Sequence, residues 1–156
     1  VKALDKAKAS GNAASIAREG ALLDPDSGLA NPSIADGNYQ CRAIKIGGKG
    51  KLMGDYVVFP ATPCAVTAEG QVHGFAKSGG TQRPVGLIFP AEGTKMIFLG
   101  TMVLGDETRA LEYGRDRDRD MVGAVERVGD KRWRLILPEP RFDGMMDVIE
   151  IIPVSA

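Results

Sequence analysis

From residue 39 to residue 152 the sequence is a succession of short strand-patterned runs, separated by glycine- and proline-containing links, with no helical period between them. This constrains the fold more than any other feature. Strands joined by short links pair antiparallel with their neighbours, whereas parallel strands need long crossovers. The runs are 39–46, 55–59, 64–68, 71–77, 84–89, 95–104, 121–128, 132–137 and 146–152. The clearest is Arg132-Trp-Arg-Leu-Ile-Leu, where Trp133, Leu135 and Leu137 share one face and Arg132 and Arg134 the other. Its alternation predicts one core face and one wet face. Gly129-Asp130 favours a tight turn and makes 121 to 137 the best hairpin candidate. The 95–104 run is apolar on both faces, as in a central strand or one wall of a closed sheet covered on its outer side.

Runs 55–59 and 64–68 read as one strand broken at Pro60-Ala-Thr-Pro63, because proline cannot donate to a ladder. A meander of eight strands can close without an exposed edge. The expected fold is therefore mainly β, an antiparallel eight- to nine-stranded meander barrel, calycin-like, with one or two short N-terminal helices. A β-sandwich is the alternative, and the pattern does not separate the two.

Val1 to Ala9 has helix-forming composition and stops at Gly11, and Asn12 is placed to cap a second helix from Ala13 to Glu19, ended by Gly20. Leu4, Ile16, Leu22 and Leu23 are its apolar anchors, so this segment is expected to brace the sheet. Asp24 to Asn38 carries Asp-Pro, Ser-Gly, Asn-Pro and Asp-Gly pairs, the chemistry of a connector. A single domain over 1–156 is expected, with 1–23 helical, 24–38 connecting and 39–153 forming the barrel. At 156 residues and 44% hydrophobic composition the chain suffices for one core.

Twenty acidic residues balance twenty basic ones, and aromatics make up 6%. Neither a basic field nor base-stacking platforms point to nucleic acid. No apolar run approaches the roughly 18–20 residues of a membrane-crossing helix. The sequence begins at Val1 with no charged-then-apolar leader, so either a targeting segment has been removed or the sequence starts inside a longer chain.

The two cysteines, Cys41 and Cys64, fall on neighbouring expected strands. If those strands pair, a disulfide would close a loop of about 20 residues, worth ~3 kcal/mol in the chain-entropy model. Such a bond implies an oxidising compartment. The alternative is a pair of reduced, buried cysteines; their spacing fits no zinc or redox motif.

Catalytic chemistry is thinly represented. Asp116, Asp118 and Asp120 have calcium-loop spacing, but Met121 stands where the turn glycine belongs, Arg127 where the closing glutamate belongs, and Arg115, Arg117 and Arg119 intervene. His73 is the sole histidine and no nucleophile elbow accompanies it. Gly79-Gly80-Thr81-Gln82-Arg83-Pro84 lacks the Lys-Ser/Thr ending of a phosphate loop and reads as a hairpin turn. The best candidate site is a rim formed by this turn and the 105–120 loop, where Arg83, Asp106, Glu107, Arg109, Tyr113, Asp116 and Arg119 can form a charged network. No catalytic residue, metal or cofactor is expected.

Several runs carry a family resemblance: Glu19-Gly-Ala-Leu-Leu-Asp-Pro, Gly37-Asn-Tyr-Gln-Cys-Arg-Ala-Ile-Lys-Ile-Gly, Gln82-Arg-Pro-Val-Gly, Phe98-Leu-Gly, Leu104-Gly-Asp-Glu-Thr-Arg-Ala-Leu-Glu-Tyr-Gly-Arg-Asp, Val125-Glu-Arg-Val-Gly, Trp133-Arg-Leu and Asp147-Val-Ile-Glu. In this order they resemble an uncharacterised proteobacterial family, domain of unknown function 4893. The resemblance implies an export signal, sometimes lipoprotein-like, and an upstream helical portion absent here. It therefore implies periplasmic residence and supports the disulfide, but it supplies no activity.

The expected function is accordingly a periplasmic or envelope-associated binding module, holding a small apolar ligand or an envelope protein. The alternatives are a structural or assembly role, and a hydrolase using clustered carboxylates around the 105–120 loop. Thiol titration of the denatured, non-reduced protein should find no free thiol. Two free thiols would remove the argument for an oxidising compartment.

Overall fold

In a computed structural model, residues 8–47, 56–79, 82–90, 93–104, 120–138 and 146–154 are described. The strands are β1 (Gly37–Ile46), β2 (Tyr56–Val58), β3 (Thr62–Glu69), β4 (Val72–Lys77), β5 (Gln82–Phe89), β6 (Lys95–Leu104), β7 (Asp120–Gly129), β8 (Arg132–Pro138) and β9 (Met146–Pro153). From β3 onward each strand pairs antiparallel with the next, and β3 and β9 both pair with β1. Eight strands thus close into a barrel, and β2 is the ninth, extra strand. The sandwich alternative is set aside by the β1–β9 ladder, which runs from Tyr39↔Pro153 to Ile46↔Met146.

The break occurs at 59–61, overlapping the expected Pro60–Pro63 stretch, but β3 resumes at Thr62 and Pro63 is paired with Gln40 within it. β2 and β3 lie along the same edge of β1, with Ile44↔Val58 before the break and Cys41↔Thr62 after it. Three steps along β1 are matched by four along its partner, so the interruption acts as a bulge. The Phe59 N–H still donates to the Ala43 carbonyl at 2.9 Å and keeps both pieces on one line.

Alternation along the strands fills the interior. Tyr39, Cys41, Cys64, Phe75, Phe98, Trp133, Leu135 and Ile151 belong to one buried cluster spanning the barrel wall. Phe75 meets Phe98, and Tyr39 meets Trp133, edge to face with centroids 6.1 Å apart. Gly86 and Gly100 are directly opposed on β5 and β6. A Cβ at Gly86 would strike the Leu99 and Gly100 backbone, and one at Gly100 would meet the Phe98 ring, so bare backbone makes room for the aromatic pair.

The connector seals the barrel end where β1 begins and β8 follows β7. Ile34 enters the core cluster. Trp133 Nε1 donates to the Pro32 carbonyl at 3.0 Å and the Tyr39 hydroxyl to the Ala35 carbonyl at 2.5 Å. Arg127 donates to the Ala30 and Asn31 carbonyls at 3.0 Å each. Each buried ring thus satisfies its polar atom on connector backbone.

Outside the barrel, the N-terminal segment covers β1 and β9. Lys8–Asn12 forms a turn kinked at Gly11, whose φ is +94°, followed by helix α1 (Ala13–Arg18) and a 3₁₀ turn, Gly20–Leu23. Asn12 occupies the N-cap position without a side-chain capping bond. Ile16, Leu22 and Leu23 pack on the outward Ile44, Ile46 and Val148 as a brace, while Leu4 and most of the helix expected from Val1 to Ala9 lie outside the described residues.

Here the expectation of a wet face on 132–137 is corrected. Arg134 is only 2% exposed. Its Nη1 donates to the carbonyls of Ala21, Leu22 and Asp24 at 3.2, 3.0 and 2.6 Å, and its Nε and Nη2 to Glu126 Oε1 at 3.2 and 3.1 Å. The physical reason is that the carbonyls at the end of the 3₁₀ turn converge on this face of β8, and carbonyls with two lone pairs can accept from a planar five-donor guanidinium as well as from Asp24 and Ser27. Nearby, Glu150 accepts from Arg42 at 3.1 Å and Arg132 at 2.7 Å, and Arg42 also pairs with Glu19.

Removing one partner of a buried pair strands the other charge. Arg134→Met should lower stability by about 3–5 kcal/mol in urea unfolding. Adding Glu126→Leu should recover part of the loss. A double variant as unstable as the single would mean that the lost carbonyl contacts, rather than the stranded carboxylate, carry the effect.

Candidate functional site

Antiparallel pairing brings the end of β4, the start of β5, the end of β6 and the start of β7 to one end of the barrel, opposite the connector. The registers Cys64↔Lys77, Arg83↔Val103 and Thr101↔Asp120 place these strand ends together. Of the charged rim expected from sequence, Arg83 lies here on β5, half-buried and next to buried Pro84. Asp106, Glu107, Arg109, Tyr113, Asp116 and Arg119 lie outside the described residues.

Sequence reasoning missed the residue that gives this end its chemistry. On β4, Phe75 points into the core, and the period of two carries Lys77 to the same side. Lys77 is 6% exposed. Its Nζ donates to the Gly79 carbonyl at 2.6 Å and forms no ion pair with any described residue. Burial, reinforced by the charge of Arg83, pulls the Lys77 amine below its ordinary range.

Gly79 links this amine to Thr62. A Cβ at Gly79 would press on the Thr62 side chain, ending 3.0 Å from Oγ1. Thr62 Oγ1 is itself buried and has no hydrogen-bond partner among the described residues. The turn is pinned by Ser78, whose N–H and hydroxyl both donate to the Pro63 carbonyl at 3.0 Å. Cys64, opposite Lys77, forms the expected disulfide with Cys41. The bond ties β3 to β1 and holds Thr62, at the start of β3, beside the hairpin that carries Lys77.

His73 is half-buried on β4, four residues before Lys77 and towards the connector end. No group of three or more histidine, cysteine or acidic residues among the described residues could hold a metal ion. The site therefore offers a buried amine and an unused hydroxyl on adjoining strands, with a guanidinium close enough to raise the local positive potential.

With the fold and this end in place, comparison with known families adds one finding. The family model described as domain of unknown function DUF4893 matches residues 1–151. The chain belongs to this family. No curated protein matches it. The DUF4893 description carries no activity that could assign a role to Lys77 or Thr62. No helix among the described residues of this DUF4893 chain is long and apolar enough to cross a membrane.

The lowered Lys77 pKa has a definite sign in stability. Between the folded value and the ordinary 10.5, the unfolded chain binds more protons, so stability contributed by this site rises with pH through that window. Compared with Lys77→Met, the wild-type protein should gain stability as pH is raised towards 10.5, measured by urea unfolding. A pH-independent difference would place Lys77 in a solvent-like environment.

Proposed function

We propose that this DUF4893 protein is an exported, periplasmic module of the cell envelope that acts by binding rather than by catalysis, and that it engages an envelope protein with the barrel end carrying Lys77 and Arg83. The observation that carries this reading is the filling of the barrel by its own side chains. Phe75, Phe98, Trp133 and Leu135 occupy the space that an internal apolar ligand would need. Recognition then falls to the outside, and the end with a buried cation is the part of the described surface best equipped for it.

The Cys41–Cys64 disulfide supports the periplasmic part of the reading, because such bonds persist in oxidising compartments. The sequence resemblance to exported proteobacterial proteins points the same way. An assembly role is the second reading, favoured by Ile97 and Val122 on the outer wall of β6 and β7, 45% and 56% exposed. They are diagonal neighbours across the β6–β7 ladder, where Ile97 pairs with Ala124 and Val122 with Leu99, and exposed apolar patches often mark contact surfaces.

Native mass spectrometry of the protein from its host envelope, before and after unfolding, tests the reading. The expected result is a retained protein partner that Arg83→Glu removes and Ile97→Lys leaves in place. The opposite dependence would transfer the contact to the β6–β7 wall and support assembly. A lipid-sized mass released on unfolding would restore an internal carrier and overturn the proposal.

A further inference from the structure

We propose that Lys77 and Thr62 form a binding site for a single oxyanion, a carboxylate or phosphate group, at the barrel end opposite the connector. The inference rests on reading that end as the binding end, and names the chemistry of the group it receives.

Four charged side chains are buried among the described residues: Lys77, Glu126, Arg134 and Glu150. Arg134 and Glu126 neutralise one another, and Glu150 is held by Arg42 and Arg132. Lys77 is the exception, with a backbone carbonyl and no carboxylate partner among the described residues. A buried ammonium without a counter-ion is unfavourable, and an anion bound beside it would relieve that penalty.

The donors are arranged for such a guest. An ammonium has three N–H donors, and one is used on Gly79. The Thr62 hydroxyl adds a donor that is buried and unused. Both groups border Gly79, Lys77 through its bond to the carbonyl and Thr62 by filling the space that a Cβ at 79 would occupy. The absent side chain at 79 is what lets the β4–β5 hairpin close on Thr62; Gly79→Ala would push the two donors apart. Arg83 contributes positive potential at the same place, since its charge acts on the Lys77 amine. Such a field favours an anion and repels a metal ion.

The test uses lysine-labelled protein, following the Lys77 ε-methylene signal by NMR during titration with inorganic phosphate and, separately, acetate. The expected result is a saturable shift of Lys77 with at least one anion and an upward move of its pKa in the bound state. Lys77→Met should abolish the accompanying shifts of the Ser78 and Gly79 amides. Thr62→Val, which keeps the side-chain shape, should weaken binding several-fold while leaving the buried amine in place. Tighter binding of phosphate assigns a phosphate-bearing group, and tighter binding of acetate a carboxylate.

No saturable shift at Lys77 with either anion would overturn the site, as would Ser78 and Gly79 shifts that persist in Lys77→Met. Thermal unfolding supplies an independent arm. A lysine retained for binding should be replaceable by methionine with unchanged or higher melting temperature, whereas a marked fall would make Lys77 a structural residue and overturn the proposal. The two proposals fail separately. A partner lost with Arg83→Glu but no anion at Lys77 leaves the binding end standing without this site. An anion at Lys77 with no protein partner does the reverse.

Discussion

The ladder between β1 and β9, from Tyr39↔Pro153 to Ile46↔Met146, turns an open meander into a closed wall, and the other features depend on that closure. The second half of β1 is covered on both sides. Tyr39 and Cys41 face the interior, while Ile44 and Ile46 face outward beneath Ile16, Leu22 and Leu23. The same strand accepts β2 and β3 along its other edge and carries one half of the disulfide. A register slip of one residue between β1 and β9 would exchange these two sets of side chains and expose both.

Most of the strand positions were legible because a half-buried strand writes its period of two into the sequence, and glycine and proline mark its ends. Trp133, Leu135 and Leu137 are inside as their alternation implies. The Pro60–Pro63 interruption, the Gly129-Asp130 turn and the Cys41–Cys64 bond also follow from local chemistry. Arg134 was not legible. Its burial depends on carbonyls of residues 21–25, and nothing in its own neighbourhood announces a tertiary partner more than a hundred positions away. The sequence signal was ambiguous in kind, since an arginine on the polar phase of a strand is ordinarily solvated.

The candidate site was half legible. Arg83 and the hairpin turn stood out as a charged, glycine-rich stretch, but Lys77 closes the run Val-His-Gly-Phe-Ala-Lys, where a terminal lysine reads as an exit to solvent. The phase shared with Phe75 was the signal that could have found it. Thr62 has no sequence signature, because its isolation arises from Gly79 lying against it across two strands. Polarity is thus distributed unevenly over the molecule. The two buried networks beneath the N-terminal segment consume their own charges, whereas Lys77 at the hairpin end has no carboxylate partner among the described residues.

β1 and β9 are the first and last strands of the barrel, so their ladder has the longest sequence separation in it. Until Met146–Pro153 has emerged, the sheet is an unclosed ribbon with two unpaired edges, and Ile44 and Ile46 have no complete wall on which the N-terminal segment can settle. Arg134 likewise reaches its carbonyl partners only when β8 is in place. Folding is therefore governed by non-local contacts, and closure waits for the last strand of the barrel. A barrel closed by its first and last strands therefore locks its interior and its outer brace in the same step.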